Sequence, residues 1–216
     1  MAKNSVTEQI TNSLRWEITN GAYLEVTTLT EVEISEKYGV SKTPAREALG
    51  ILCSEGLLEK IPRKGYLIKR FSMADIASLF QFRSILEVQG LEISKHLVTK
   101  EDVQKLKEFC VACDAIPAEE AAARYVDLNR QFHVMLISLA RNPFMTAALA
   151  NTMDRLKLAL TADQAIGAPK LSDHEDIIEA IACGDYDRAK QMLSYVNDKV
   201  YNRLSVNGDQ FSNLMR

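Results

Sequence analysis

The sequence predicts a mostly α protein in two parts. Residues 1–70 read as a helix-turn-helix closed by a two-stranded hairpin, and 71–216 as an all-α antiparallel bundle of six or seven helices. Three observations carry this reading. Apolar residues recur at helical spacing along almost the whole chain. Two short helical patterns meet across Gly39, which suits a tight turn. Strand-like alternation stands out at one place, Leu57–Ile61 and Tyr66–Lys69, on either side of Pro62-Arg63-Lys64-Gly65.

Taken in order, Val6, Ile10, Leu14 and Ile18 form one apolar stripe over 5–20, and Asn20-Gly21 stops it. A connection rich in Thr and Val follows over 22–29. Thr30 is placed to cap the next helix, with Glu33 at the capping-box position, and Gly39 ends that helix after Tyr38. Ser41 precedes a third helix as its cap, and Pro44 falls near the helix start, where a missing N–H costs little. Ala45, Ala48, Leu49 and Leu52 line one face of it. The other face offers Ser41, Lys42, Thr43 and Arg46, which are hydroxyls, an ammonium and a guanidinium fork. Such groups bond phosphates and base edges. This is read as a DNA recognition helix in a winged helix-turn-helix. The hairpin is its wing, with Lys64 and Gly65 at the tip, glycine allowing close backbone approach.

From Phe71-Ser72 onward the period is helical, over about 73–97, 100–114, 118–140, 143–162, 172–183 and 185–205. Thr99, Pro117, Asn142-Pro143, a Gly167-Ala168-Pro169 loop and Gly184-Asp185 mark the breaks. Short breaks between long helices point to an antiparallel bundle.

Bulk composition sets limits. The 216 residues are 47% hydrophobic and 25% charged, as in an ordinary globular protein, and suffice for one or two domains. No apolar run approaches a membrane span, and the N-terminus lacks an apolar signal core, so a cytoplasmic chain without membrane association is expected. The net charge of −3 argues against a general nucleic-acid coat. Its distribution fits a site-specific binder: residues 1–70 hold ten basic and nine acidic residues, which leaves 16 against 20 beyond. Lys60, Arg63, Lys64, Lys69 and Arg70 have no acid among them. Of the four cysteines, Cys110 and Cys113 form a lone C-x-x-C without a second pair, so the zinc-ribbon reading fails; a redox or metal role and, as the plainer reading, two small residues one helical turn apart remain.

The run from Gly39 to Leu49, with Leu52, Glu55-Gly56-Leu57 and Arg63-Lys64-Gly65, resembles the winged helix of GntR-family transcription regulators. The resemblance implies DNA contacts by Ser41, Lys42, Thr43 and Arg46 and by Gly65 at the wing tip. One departure is Val32, which stands where the family often carries a DNA-contacting Arg. Phe82–Glu87, Asn129–His133, Arg141-Asn142-Pro143, His174–Ile178 and Ala180–Asp185 resemble the C-terminal FCD effector domain of the FadR subfamily. That resemblance implies a homodimeric regulator, not an enzyme, whose affinity for double-stranded operator DNA responds to a small organic-acid effector.

Within the bundle, Asn129 and His133 lie one turn apart on a face shared with Val126 and Leu136, while His174 is in register with Ile177, Ile178 and Ile181. Two core-facing histidines suit a divalent metal such as zinc or nickel, or a metal-free pocket of buried, hydrogen-bonded imidazoles. By the resemblance, many members of the branch hold a metal through an Asp and three His. Asn129 stands for that Asp and Tyr195 for the last His, which leaves His133, His174 and the weak donor Asn129. Arg83 on the first bundle helix needs an anionic partner, either Glu87 one turn on or an effector carboxylate. Arg155 is a second cationic candidate. The expected effector residues are thus Arg83, Asn129, His133, His174 and Tyr195. A metal-dependent enzyme on the two histidines is the rival from another class, but no acid/base pair or nucleophile motif accompanies them. A further rival, a winged helix serving only protein contacts, conflicts with the intact polar face of the third helix.

Overall fold

The computed structural model describes residues 5–23, 25–161 and 174–206. Its contacts divide the chain into two units, Met1–Ser72 with Asp154–Gln164, and Met73–Met153 with Ala165–Arg216.

The first unit begins with α1, Val6–Thr19, capped by Ser5, whose hydroxyl accepts from the Glu8 amide. Helix α2, Glu31–Tyr38, opens on the capping box expected at Thr30: its hydroxyl accepts the Glu33 amide at 3.2 Å and Glu33 Oε2 accepts the Thr30 amide at 2.8 Å. Gly39 ends it in the left-handed region (φ 63°), which glycine enters without steric cost. Helix α3 runs Lys42–Ser54 and buries Ala45, Ala48, Leu49 and Leu52 completely. These side chains meet Ile10, Leu14 and Ile18 of α1 and Ile34 of α2 in one core, which Leu158 of a later helix joins.

The hairpin pairs β2, Leu58–Ile61, with β3, Gly65–Ile68. The expected two-stranded wing is present, and the sheet extends beyond it. Thr28–Leu29 form an additional strand, β1, antiparallel to β3, so the sheet has the order β1-β3-β2. Leu29 opposite Tyr66 is buried, which gives this short strand its hold on the core. Gly65, with φ 108°, is demanded by the same pairing. A Cβ there would stand 2.4 Å from the Leu29 carbonyl oxygen, so the glycine serves the sheet itself.

The second unit contains α4 (Met73–Ser94), α5 (Lys100–Asp114), α6 (Ala118–Ser138), most of α7 (Pro143–Thr161), α8 (Glu175–Ala182) and α9 (Tyr186–Val206). Caps mark the breaks. Thr99 and Asp102 form a capping box on α5, Asn142 Oδ1 accepts the Phe144 and Met145 amides at the head of α7, and Asp185 Oδ1 accepts the Arg188 amide. Helix α4 stops at Ser94, short of 97, because the Leu97 and Val98 amides turn back to the Ser94 carbonyl. The core joins Leu91, Leu106, Phe132, Leu136, Ile177, Ile181, Ala189 and Leu193. Cys110 is part of it and Cys113 packs beside Leu128, which is the structural role open to this pair. The Gly167-Ala168-Pro169 loop lies outside the described residues. Among those described, no helix is long and apolar enough to cross a membrane.

Candidate DNA-binding face and a buried polar cluster

Helix α3 separates its two chemistries cleanly. With the apolar face buried, Ser41, Lys42, Thr43 and Arg46 are all exposed. Ser41 occupies the N-cap position with extended backbone, yet its side chain makes no capping bond. An N-cap hydroxyl accepts from the amides at N2 or N3; here N3 is Pro44, which has no N–H, and the remaining donor, the Thr43 amide at N2, is not engaged. The expected cap is therefore a cap in position only, and the hydroxyl is left to face outward beside Lys42 and Thr43. The helix N-terminus adds the positive end of the macrodipole at the same edge.

The one acid on this helix near the basic edge, Glu47, is held against α1, where Thr7 Oγ1 donates to its Oε2 at 2.8 Å. Arg46 is paired as well. Its Nε and Nη2 donate to the Glu31 carboxylate at 2.9 and 2.8 Å, and the Tyr66 hydroxyl donates to the same carboxylate at 3.1 Å. Hydrogen bonding from Arg46 first, then from Tyr66, holds the Glu31 carboxyl below its ordinary range. Val32, the departure noted in the sequence, is exposed next to it. At the wing, Arg63 and Lys64 are exposed. Arg63 takes φ 65°, a left-handed turn conformation uncommon for a side chain of its size. Lys60 lies over the Tyr66 ring, 5.6 Å from its centre. Arg155 donates Nε to the Glu55 carbonyl at 2.7 Å within the first unit, so it is a packing residue there.

In the second unit Glu87 is the centre of a buried polar cluster. It is 2% exposed. Arg83 Nε donates to Oε1 at 3.2 Å and Asn197 Nδ2 to Oε2 at 2.7 Å. His133 Nδ1 stands 2.8 Å from Oε1, off the line of an ideal bond. His133 Nε2 and His174 Nε2 are 3.2 Å apart. Phe132 stacks on the His174 ring at 4.1 Å between centres. Burial alone pushes the Glu87 carboxyl up, but Arg83, His133 and Asn197 outweigh it and hold it at about 2. Burial, with help from Arg83, pushes the His133 imidazole down against the pull of Glu87, which favours the neutral ring. A proton on Nδ1 facing the carboxylate makes His133 Nε2 the acceptor and His174 Nε2 the donor. Arg83 and Glu87 thus cancel in charge. Arg83 Nη2 and Asn197 Oδ1 have no hydrogen-bond partner among the described residues.

The sequence expectations fare unevenly here. Arg83, His133 and His174 converge. Asn129 is half-buried one turn before His133. Tyr195 is 66% exposed, and the inward position belongs to Asn197, two residues on. That residue was open to discovery from the stripe Ala189, Leu193, Val196, with which it shares a face. For a metal, the two imidazoles are the strong donors present. No group of three or more His, Cys, Asp or Glu able to hold an ion occurs among the described residues, whereas zinc sites use three or four protein ligands. The described residues do not complete such a site.

Comparison with known proteins bears on both units. A model described as "Bacterial regulatory proteins, gntR family" matches residues 6–68, and the FCD domain model matches 78–198. The Nta operon transcriptional regulator of Aminobacter aminovorans is 27% identical over 135 residues, 62% of this chain and 64% of that protein, so the match spans under two thirds of that relative. The HTH-type transcriptional repressor RspR of Escherichia coli K12 is 25% identical over 216 residues, 96% of this chain and 94% of its own. Among solved structures, E. coli McbR/YncC aligns with a TM-score of 0.75 at 19% identity, covering 97% of this chain and 100% of that one. A GntR-type regulator from Rhodococcus sp. RHA1 aligns at 0.76 and 22%, covering 92% and 96%. At these identities the two structures speak for the fold. The named relatives are transcription regulators, and the enzyme reading of His133 and His174 has no counterpart among them.

Proposed function

This chain belongs to the FCD-domain regulators of the bacterial gntR family, which control transcription by binding DNA, and we propose that a small organic acid bound in its second unit sets its affinity for the operator. The observation that carries the DNA side is the division of α3: four polar or cationic side chains outside, four apolar ones fully inside. A homodimer places two such helices in successive major grooves of a near-palindromic site. An exposed stripe on α4, with Phe82, Ile85 and Ile93 each 45–55% exposed, supports self-association through the bundle. The protein acts in the cytoplasm, where the duplex is. Ser41, Lys42 and Thr43 meet phosphates and base edges, Arg46 reads a base, and Lys64 follows the backbone.

The effector reading rests on the cluster around Glu87. A buried guanidinium whose Nη2 has no partner among the described residues offers a donor to a carboxylate, and Asn197 Oδ1 offers an acceptor to a hydroxyl on the same molecule. Binding acts on DNA affinity only through a difference between the DNA-competent and incompetent states. The test is selection by the full chain from a pool of duplexes with about 20 randomised base pairs. A near-palindrome with half-sites one helical turn apart supports the reading, and no enrichment overturns it.

A further inference from the structure

A carboxylate at the edge of a surface built for phosphate is out of place on charge alone. Glu31 is such a group. It stands in the first turn of α2, where the helix dipole favours an anion. Arg46 Nε and Nη2 donate to it from α3, and the hydroxyl of the buried Tyr66 donates to it from β3. Three elements of the helix-turn-helix and its wing thus meet at one side chain. The ion pair is more than half exposed on the Arg46 side, and such pairs contribute little to stability. Position, then, is what it supplies.

A guanidinium has five N–H groups in one plane. Glu31 takes the Nε–H and one on Nη2. The remaining Nη2 hydrogen and the two on Nη1 leave the outer edge of the fork unused by Glu31. That edge is the one that bonds O6 and N7 of guanine in the major groove. We propose that Glu31 is a positioning residue for sequence reading, holding the Arg46 fork so that its outer edge meets a guanine in each half-site. This rests on the reading of α3 as the recognition helix. Arg loses more rotamer freedom than most residues when it is immobilised, and here that loss precedes DNA binding. The same carboxylate repels backbone phosphate, so it disfavours the use of Arg46 as an unspecific phosphate clamp.

The experiment runs the full-length wild type and the Arg46→Ala, Glu31→Ala and Glu31→Gln variants through the same randomised-duplex selection, with thermal melts as a control for folding. Wild type is expected to enrich G·C at one position of each half-site, and Arg46→Ala to lose preference at that position. Both Glu31 variants should lose about tenfold or more of that guanine preference, keep the preferences elsewhere, and bind a non-selected duplex at least as well as wild type. Guanine preference retained in Glu31→Ala and Glu31→Gln overturns the proposal. So does tighter binding of the selected duplex by either variant, since Glu31 would then be a brake on Arg46. If Arg46→Ala loses no single position, the assignment of Arg46 as a base reader fails, and the role of Glu31 falls with it. If wild type enriches nothing, the failure lies in the DNA-regulator reading itself.

Discussion

Ser41 stands at the N-cap of α3, and Pro44, three residues on, has no amide to give it. An N-cap Ser→Ala change ordinarily costs about 1 kcal/mol. Here the hydroxyl holds no helix amide, so Ser41→Ala should leave the thermal midpoint nearly unchanged. On the proposed reading of α3 it should still weaken operator binding, because Ser41 is exposed on the face offered to the duplex. Differential scanning calorimetry beside an anisotropy titration separates the two. A large loss of stability with unchanged DNA affinity would return Ser41 to a capping role.

The wing makes a different prediction. Lys64 is exposed at the hairpin tip, and the proposed role of its point charge is to meet phosphate and not a base. Lys64→Ala should weaken all duplexes alike and reduce the slope of log K against log salt by roughly 0.9. Loss confined to one operator position would contradict phosphate contact.

Acid should find the Glu87 cluster. A carboxyl lowered in the folded state contributes stability that is whole above its unfolded pKa and lost as pH falls through the folded one. For Glu87 that window runs from 4.5 down to about 2. His133, lowered from 6.5 by burial, adds an earlier decline, since the unfolded chain takes up its proton first. Urea unfolding at pH 7, 5.5, 4 and 3 should therefore show stability falling in two stages. In the double variant Arg83→Met with Glu87→Met the lower stage should be shallower. Identical slopes in both proteins would mean that Glu87 is not the titrating group. Removing Arg83 alone should cost about 3–5 kcal/mol, because it strands a buried carboxylate.

The effector assignment is tested with carboxylates of two to six carbons, with and without hydroxyl groups. One of them should raise the thermal midpoint of wild type and change its affinity for the selected duplex. Asn197→Leu and His174→Ala should blunt both responses while remaining folded. A full response in both variants places the effector elsewhere.

Much of this was legible because local chemistry decided it. Ala45, Ala48, Leu49 and Leu52 announced the buried face of α3, and Thr30 with Glu33 announced a capping box found as expected. What escaped depends on partners remote in sequence. Thr28–Leu29 is too short to read as a strand, and its partner Tyr66–Leu67 lies far along the chain. The pairing of Glu31 with Arg46 depends on how two helices cross, which no periodicity encodes. In α9, assignment by resemblance pointed to Tyr195, whereas the apolar stripe through Ala189 and Leu193 leads to Asn197. The helical period was the better guide there, since a two-residue offset turns a side chain to nearly the opposite face.

The central claim is that the outer face of α3 reads a specific duplex. Its most direct test is an anisotropy titration of the full chain, at about 0.15 M salt, against the selected duplex and a scrambled one of equal length and composition. The account predicts a preference of about a thousandfold or more for the selected duplex. That preference should disappear in the Lys42→Ala, Thr43→Ala, Arg46→Ala triple variant. Equal affinity of wild type for the two duplexes, or an unchanged preference in the triple variant, would contradict it.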